Sequence, residues 1–258
     1  LGLRYPPTFT QVSTTEEAAA VLRSTVIDLV ICMPGNADND AFDVARDIKG
    51  KFPNIHCVVL TPFSHGITKR MQNEDLSIFD YVFCWLGNTN LILSIIKLIE
   101  DKMNLEHDIQ EAGVQMILLV EDSIRFYSSI LPNLYNYILE QSKNFSQEAL
   151  NRHAATMRMR GRPKVVLART YEEAQKLYDK YSDNTLGVIS DARFPLKSAA
   201  KAFGNEVMPE EKPKHRTDTF GREKCPDAGL QLFRYIRKND PFFPLIIESS
   251  ERANRAKA

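Results

Sequence analysis

Two apolar runs end on acids, and a third ends on hydroxyls. ILLVED closes on Glu121 and Asp122, LGVISD closes on Asp191, and PLIIESS closes on Ser249 and Ser250. If the three runs are parallel strands of one sheet, their C-terminal ends share the edge where open α/β sheets bind ligands. Three carboxylates gathered there repel, since two unit charges about 4 Å apart interact by roughly 4 kcal/mol at an effective dielectric of 20. A hard divalent cation removes that repulsion, and Mg²⁺, with carboxylates, water and a phosphate oxygen as ligands, suits the donor set. Asp191 can then serve as ligand and as nucleophile, attacking phosphorus to give an aspartyl phosphate while the metal neutralises the transferred oxygens. A hydroxyl at Ser249 can donate to a phosphoryl oxygen. Taken singly, each acid also has a plainer use, and Asp122-Ser123 precedes a helical run as an N-cap would.

The elements that must carry these residues follow from periodicity. VIDLVICM (26–33), HCVVLTPF (56–63) and DYVFCW (80–85) are short, β-branched and aromatic, as buried strands are. Helical spacing marks DAFDVARDIKGKF (40–52), a short segment near 66–76, and NTNLILSIIKLIEDKM (88–103). The pattern then restarts with strands at 114–122, 163–168, 185–191 and 243–249, and helices at 170–181 and 228–239. Strands apolar throughout and alternating with helices predict parallel sheets covered on both faces. Two related α/β units, 1–110 and 111–258, fit this restart. Ser123 to Arg160 is longer than an ordinary crossover and predicts a helical arm, with Pro132 marking a kink or a new first turn; an arm packed on its own sheet and a dimer surface both remain open. Residues 196–226 are polar and aperiodic, as a loop directly after Asp191 would be.

Composition narrows the function classes. Lys plus Arg and Asp plus Glu each number 33, so the net charge of zero makes no global case for nucleic acid or an anionic membrane. Cys32, Cys57, Cys84 and Cys225 lack paired CxxC spacing and suit buried thiols in a reducing compartment. Apolar runs all fall short of the roughly 20 residues of a membrane span, and the N-terminus has no signal-peptide pattern. A soluble, cytoplasmic chain is the expectation.

The ordered set LLVEDS, ISDARFP, DAGLQLFRYIR and PLIIESS resembles the receiver domain of two-component response regulators. That resemblance implies tandem flavodoxin-like (CheY-like) doubly wound domains. It implies Glu121 and Asp122 as Mg²⁺-binding acids, Asp191 as phosphoacceptor and metal ligand, Arg193 as the residue whose backbone carbonyl also binds the metal, and Ser249 as switch hydroxyl. Two departures stand out: the segment between Pro195 and Asp227 is far longer than the family's turn, and the sequence ends at Ala258 before a fifth strand and its Lys. The first unit resembles the same domain with its chemistry removed. Met33 stands at the acceptor position, Thr61 at the switch position and Cys84 where the Lys is expected, and the first strand with its acidic pair is missing.

The pairing of a degenerate receiver with GVQMILLVEDSIRFYSSILPNLY, RMRGRPKVVLARTYEEA and LGVISDARFP is similar to the N-terminal region of bacterial phosphoenolpyruvate synthase or pyruvate phosphate dikinase-like proteins. The implied partners are a histidine kinase or small phosphodonor and an output or catalytic region of the same polypeptide, with room for a homodimer. No stand-alone enzyme activity is expected beyond self-phosphorylation and dephosphorylation. The alternative is a non-phosphorylated docking scaffold of such a larger enzyme. A phosphatase using Asp191 as nucleophile lacks a general acid two residues on, where Arg193 stands.

Overall fold

The computed structural model describes residues 7–33, 41–62, 76, 78–197 and 222–249. The short helix expected near 66–76 and most of the 196–226 segment lie outside the described residues. The chain is α/β with parallel sheets and divides into two compact units, Leu1–Ile99 with Ile124–Leu139, and Glu100–Ser123 with Glu140–Ala258.

In the first unit, β1 (Leu29–Cys32), β2 (His56–Pro62) and β3 (Tyr81–Trp85) form a parallel sheet in that order. The central run Cys57–Leu60 is buried on both faces, which is why it reads as unbroken apolar sequence. Helix α1 (Thr15–Ser24) is capped by Thr14, whose side chain accepts the Glu17 N–H, while Glu17 reaches back to accept the N–H of Ser13 at 2.9 Å. Helix α2 (Ala41–Lys51) buries Ala41, Phe42, Ala45 and Ile48 from one face. Helix α3 (Asn90–Ala112) begins in this unit, and so does α4 (Ile124–Gln147), which is unbroken at Pro132 and so does not start a new first turn there. The first part of α4 belongs here because Tyr127 meets Phe83 edge-on and donates its hydroxyl to the Val82 carbonyl, while Ser128 Oγ accepts the Cys84 N–H at 2.9 Å.

Helix α3 runs past the expected end at 103. It stops where Gly113, at φ +59°, takes the left-handed conformation that side chains resist; its N–H returns to the Ile109 carbonyl and that of Val114 to Asp108.

In the second unit, β4 (Met116–Val120), β5 (Lys164–Ala168), β6 (Thr185–Asp191) and β9 (Leu245–Glu248) form a parallel sheet ordered β5-β4-β6-β9. The order reverses between β4 and β6, the arrangement that opens a crevice at the strand C-termini of doubly wound sheets. The unit also holds α5 (Arg152–Arg160), α6 (Tyr171–Tyr181) and α7 (Ala228–Asn239). Met116, Leu118, Val120, Val188, Phe194, Tyr178, Leu232, Ile236 and Phe243 build its core. At the opposite end of β5, the fully buried Asp101 accepts from Arg162 at 2.7 and 3.1 Å and from the Val165 N–H at 2.9 Å, with Lys164 at 3.6 Å. A buried carboxylate needs such partners to remain charged.

Between Asp191 and α7 lies a feature that sequence periodicity did not suggest. The two-residue strands β7 (Phe194–Pro195) and β8 (Lys224–Cys225) pair antiparallel, Phe194 with Cys225 and Pro195 with Lys224. Phe194 and Pro195 are buried, so this short ladder is fastened to the core.

Candidate functional site

Strands β4 and β6 are direct neighbours, with Val120 paired to Ser190. The chain leaves both at the same edge, so Glu121 and Asp122 emerge beside Asp191. One carboxylate oxygen from each of the three lies within 4.8 Å of the others. Glu121 and Asp122 are buried, and Asp191 is half-buried. The three acids expected to converge do converge.

Each carboxylate is held differently. Glu121 Oε1 accepts the Ser123 N–H at 2.9 Å. Burial, and next the charge of Asp191, push its pKa up to about 8, partly opposed by that hydrogen bond and by Lys224. Asp191 Oδ1 accepts the Ala192 N–H at 2.7 Å, an N–H that also reaches the Glu248 carbonyl at 3.0 Å. Burial raises the Asp191 pKa, against the backbone N–H groups of Ala192 and Arg193 and the charges of Lys224 and Arg193. Asp122 meets Lys224 Nζ at 2.7 Å through Oδ2 and 3.0 Å through Oδ1.

The capping use is not the one Asp122 takes. Ser123 is the N-cap of α4 and makes no side-chain capping bond, while the Asp122 carboxylate is turned to Lys224. Nothing local in the sequence marks Lys224, which sits in a polar, charged stretch where lysines read as solvated. The β7–β8 pairing that fixes its position depends on chain returning across many residues, which no local pattern records.

Arg193 follows Asp191 by two residues, and its backbone N–H and its charge both favour the ionised form of that carboxylate. Ser249 is exposed at the end of β9, one residue beyond Glu248, the register partner of Asp191. Helix α7 begins hard against Asp191: the Gly229 N–H donates to the Ala192 carbonyl at 3.1 Å, and a Cβ on Gly229 would lie 2.4 Å from the Asp191 carbonyl oxygen. Gly229 is therefore fixed by close approach.

The donor set suits a small hard cation. Three carboxylates offer the oxygen ligation Mg²⁺ prefers, and their mutual repulsion favours any cation that enters. Asp122 would have to share its oxygens with Lys224 or release it. Of the first-unit residues that the resemblance singles out, Met33 is exposed, Thr61 is buried and donates to the Phe83 carbonyl, and Cys84 is buried. Cys32 and Cys57 are free thiols with sulfurs 4.0 Å apart. Among the described residues no helix is long and apolar enough to cross a membrane.

No model of a known protein family matches the sequence, and neither a curated protein nor a solved structure matches it. The functional reading therefore rests on the residues and their geometry.

Proposed function

We propose that the second unit is a phosphoryl-accepting regulatory domain in which Asp191 is the acceptor and Glu121, Asp122 and Asp191 hold Mg²⁺. The observation that carries this reading is the gathering of those three carboxylates, within 4.8 Å, at the switch point of a parallel sheet. In its finer form the chain is two tandem flavodoxin-like units, of which the first has lost the chemistry. When bound, Mg²⁺ would neutralise charge on the transferred oxygens.

The chain's own residues do the rest. The Ala192 and Arg193 N–H groups orient the Asp191 carboxylate and favour its charged, nucleophilic form against the burial that opposes it. A carboxylate oxygen attacks phosphorus of the donor, the new O–P bond forms in line, and the donor's leaving oxygen or nitrogen departs with the bonding pair. The product carries about −1.5 to −2 charge on the phosphoryl group, which the Arg193 charge and the Ser249 hydroxyl, one residue past the register partner of Asp191, would answer. Attack of water on the acyl phosphate returns the free carboxylate. New charge at the β6–β9 edge biases Ser249 and the adjoining surface, giving a two-state output to a linked region.

A second reading has its own support. Lys224 already pairs with Asp122, and an acidic cluster that carries its own cation is what a non-phosphorylated docking scaffold would retain. Titration with beryllofluoride and Mg²⁺, followed by fluorine NMR, separates the two. Saturable binding abolished by Asp191→Asn supports the acceptor; absence of binding favours the scaffold.

A further inference from the structure

The lysine on Asp122 has no place in the metal-binding scheme, yet it is paired with one of the three clustered acids. Lys224 is one of the two residues of β8, and its backbone is fixed by pairing with Pro195, four residues after Asp191. Its side chain is 20% exposed, and its ammonium touches both oxygens of the fully buried Asp122 carboxylate, at 2.7 and 3.0 Å. An Asp122 oxygen lies within 4.8 Å of an Asp191 oxygen. The ammonium is therefore held one carboxylate away from the acceptor, on a flexible four-carbon stem whose root is paired in the β7–β8 ladder.

An ammonium has three N–H donors, so it can keep one bond to Asp122 and offer another elsewhere. Phosphorylation would put three strong acceptor oxygens and additional negative charge beside it. Arg193 also bears on Asp191, but it lies on the same chain segment as the acceptor, whereas Lys224 arrives from the far side of the β7–β8 ladder.

Resting on the acceptor reading above, we propose that Lys224 is a further residue of the phosphoryl site, bridging Asp122 and an oxygen of the phosphoryl group carried by Asp191. In the resting chain Lys224 is parked on Asp122 and keeps the acids together. In the phosphorylated chain it supplies a charge-assisted hydrogen bond to the new group, a role for which lysine serves as a point charge. The cation thus comes from the segment that interrupts β6 and α7.

The test uses the full chain, with beryllofluoride and Mg²⁺ as the probe. Lys224→Met is expected to weaken beryllofluoride binding about tenfold or more, the scale of a hydrogen bond between charged groups. Its affinity for Mg²⁺ alone should be equal or higher, because Asp122 is released. Lys224→Arg should recover part of the beryllofluoride affinity. A second readout needs no disruptive variant: the Nζ nitrogen NMR signal of Lys224 in wild type, assigned by its loss in Lys224→Arg, should move on adding beryllofluoride to the Mg²⁺-loaded chain. Wild-type binding with an unmoved Lys224 signal, or undiminished binding by Lys224→Met, overturns the proposal and leaves the acceptor reading standing. Failure of wild type to bind beryllofluoride at all sinks both.

Discussion

Replacing Glu121 with Gln isolates the electrostatic strain of the acidic cluster. Glu121 is 4% exposed, and its pKa is pushed from 4.5 to about 8, first by burial and then by Asp191. A raised carboxyl pKa means that the folded chain holds a proton the unfolded chain has released. Stability from this group is thus fully present below the unfolded value and is lost as pH rises through about 8. At about 1.4 kcal/mol per pH unit, the interval from 4.5 to about 8 amounts to a loss on the order of 5 kcal/mol. For a unit of this size that corresponds to roughly 10–20 °C in Tm. Gln keeps an oxygen to accept the Ser123 N–H and cannot ionise. Calorimetric melts in EDTA from pH 5 to 9 should show wild type losing Tm across this window relative to Glu121→Gln, and saturating Mg²⁺ should recover most of the loss at pH 9, because the cation favours the ionised form. Parallel pH profiles for the two proteins would refute the reasoning.

Three further changes probe the frame around the site. Gly229→Ala puts a methyl 2.4 Å from the Asp191 carbonyl oxygen, so α7 or β6 must shift; a loss of about 1–3 kcal/mol is expected in urea denaturation, with weakened beryllofluoride binding. Asp101→Ala takes from the buried Arg162 its closest carboxylate and from the Val165 N–H its acceptor, and should cost about 3–5 kcal/mol by the same assay, whereas Lys176→Ala, in an exposed pair with Glu172, should cost under about 1 kcal/mol. Ser128→Ala removes the acceptor of the buried Cys84 N–H, and about 1–3 kcal/mol should be lost, with hydrogen exchange at Cys84 rising.

The strands and helices that position the acids are legible because their signals are local. Apolar runs such as HCVVLTP and MILLV are short and bounded, and the AGLQLFRYIRKN helix has a strongly one-sided apolar face. Adjacency of β4 and β6, and hence the meeting of Glu121, Asp122 and Asp191, follows from the restart of the βα pattern together with the topology such patterns adopt. Long-range contacts are another matter. Nothing near Lys224 marks it as the partner of Asp122, since the pair spans two strands of the sheet and the β7–β8 ladder. Nor does the apolar face of α4 state which sheet it covers; the Tyr127 hydroxyl on Val82 and Ser128 on Cys84 fix that choice. Helix α3 outran its expected end because its last turns are polar, and Gly113 gives the stop that polarity alone does not.

The central claim is that Asp191 takes a phosphoryl group. Intact-mass measurement after incubation with acetyl phosphate and Mg²⁺ tests it most directly, on wild type and on Asp191→Asn. Wild type should gain about 80 Da, the mass of a phosphoryl group in an acyl phosphate, and the gain should be absent from the variant and lost on exposure to hydroxylamine. An adduct that persists in Asp191→Asn, or wild type that gains no mass with any small phosphodonor, would contradict it.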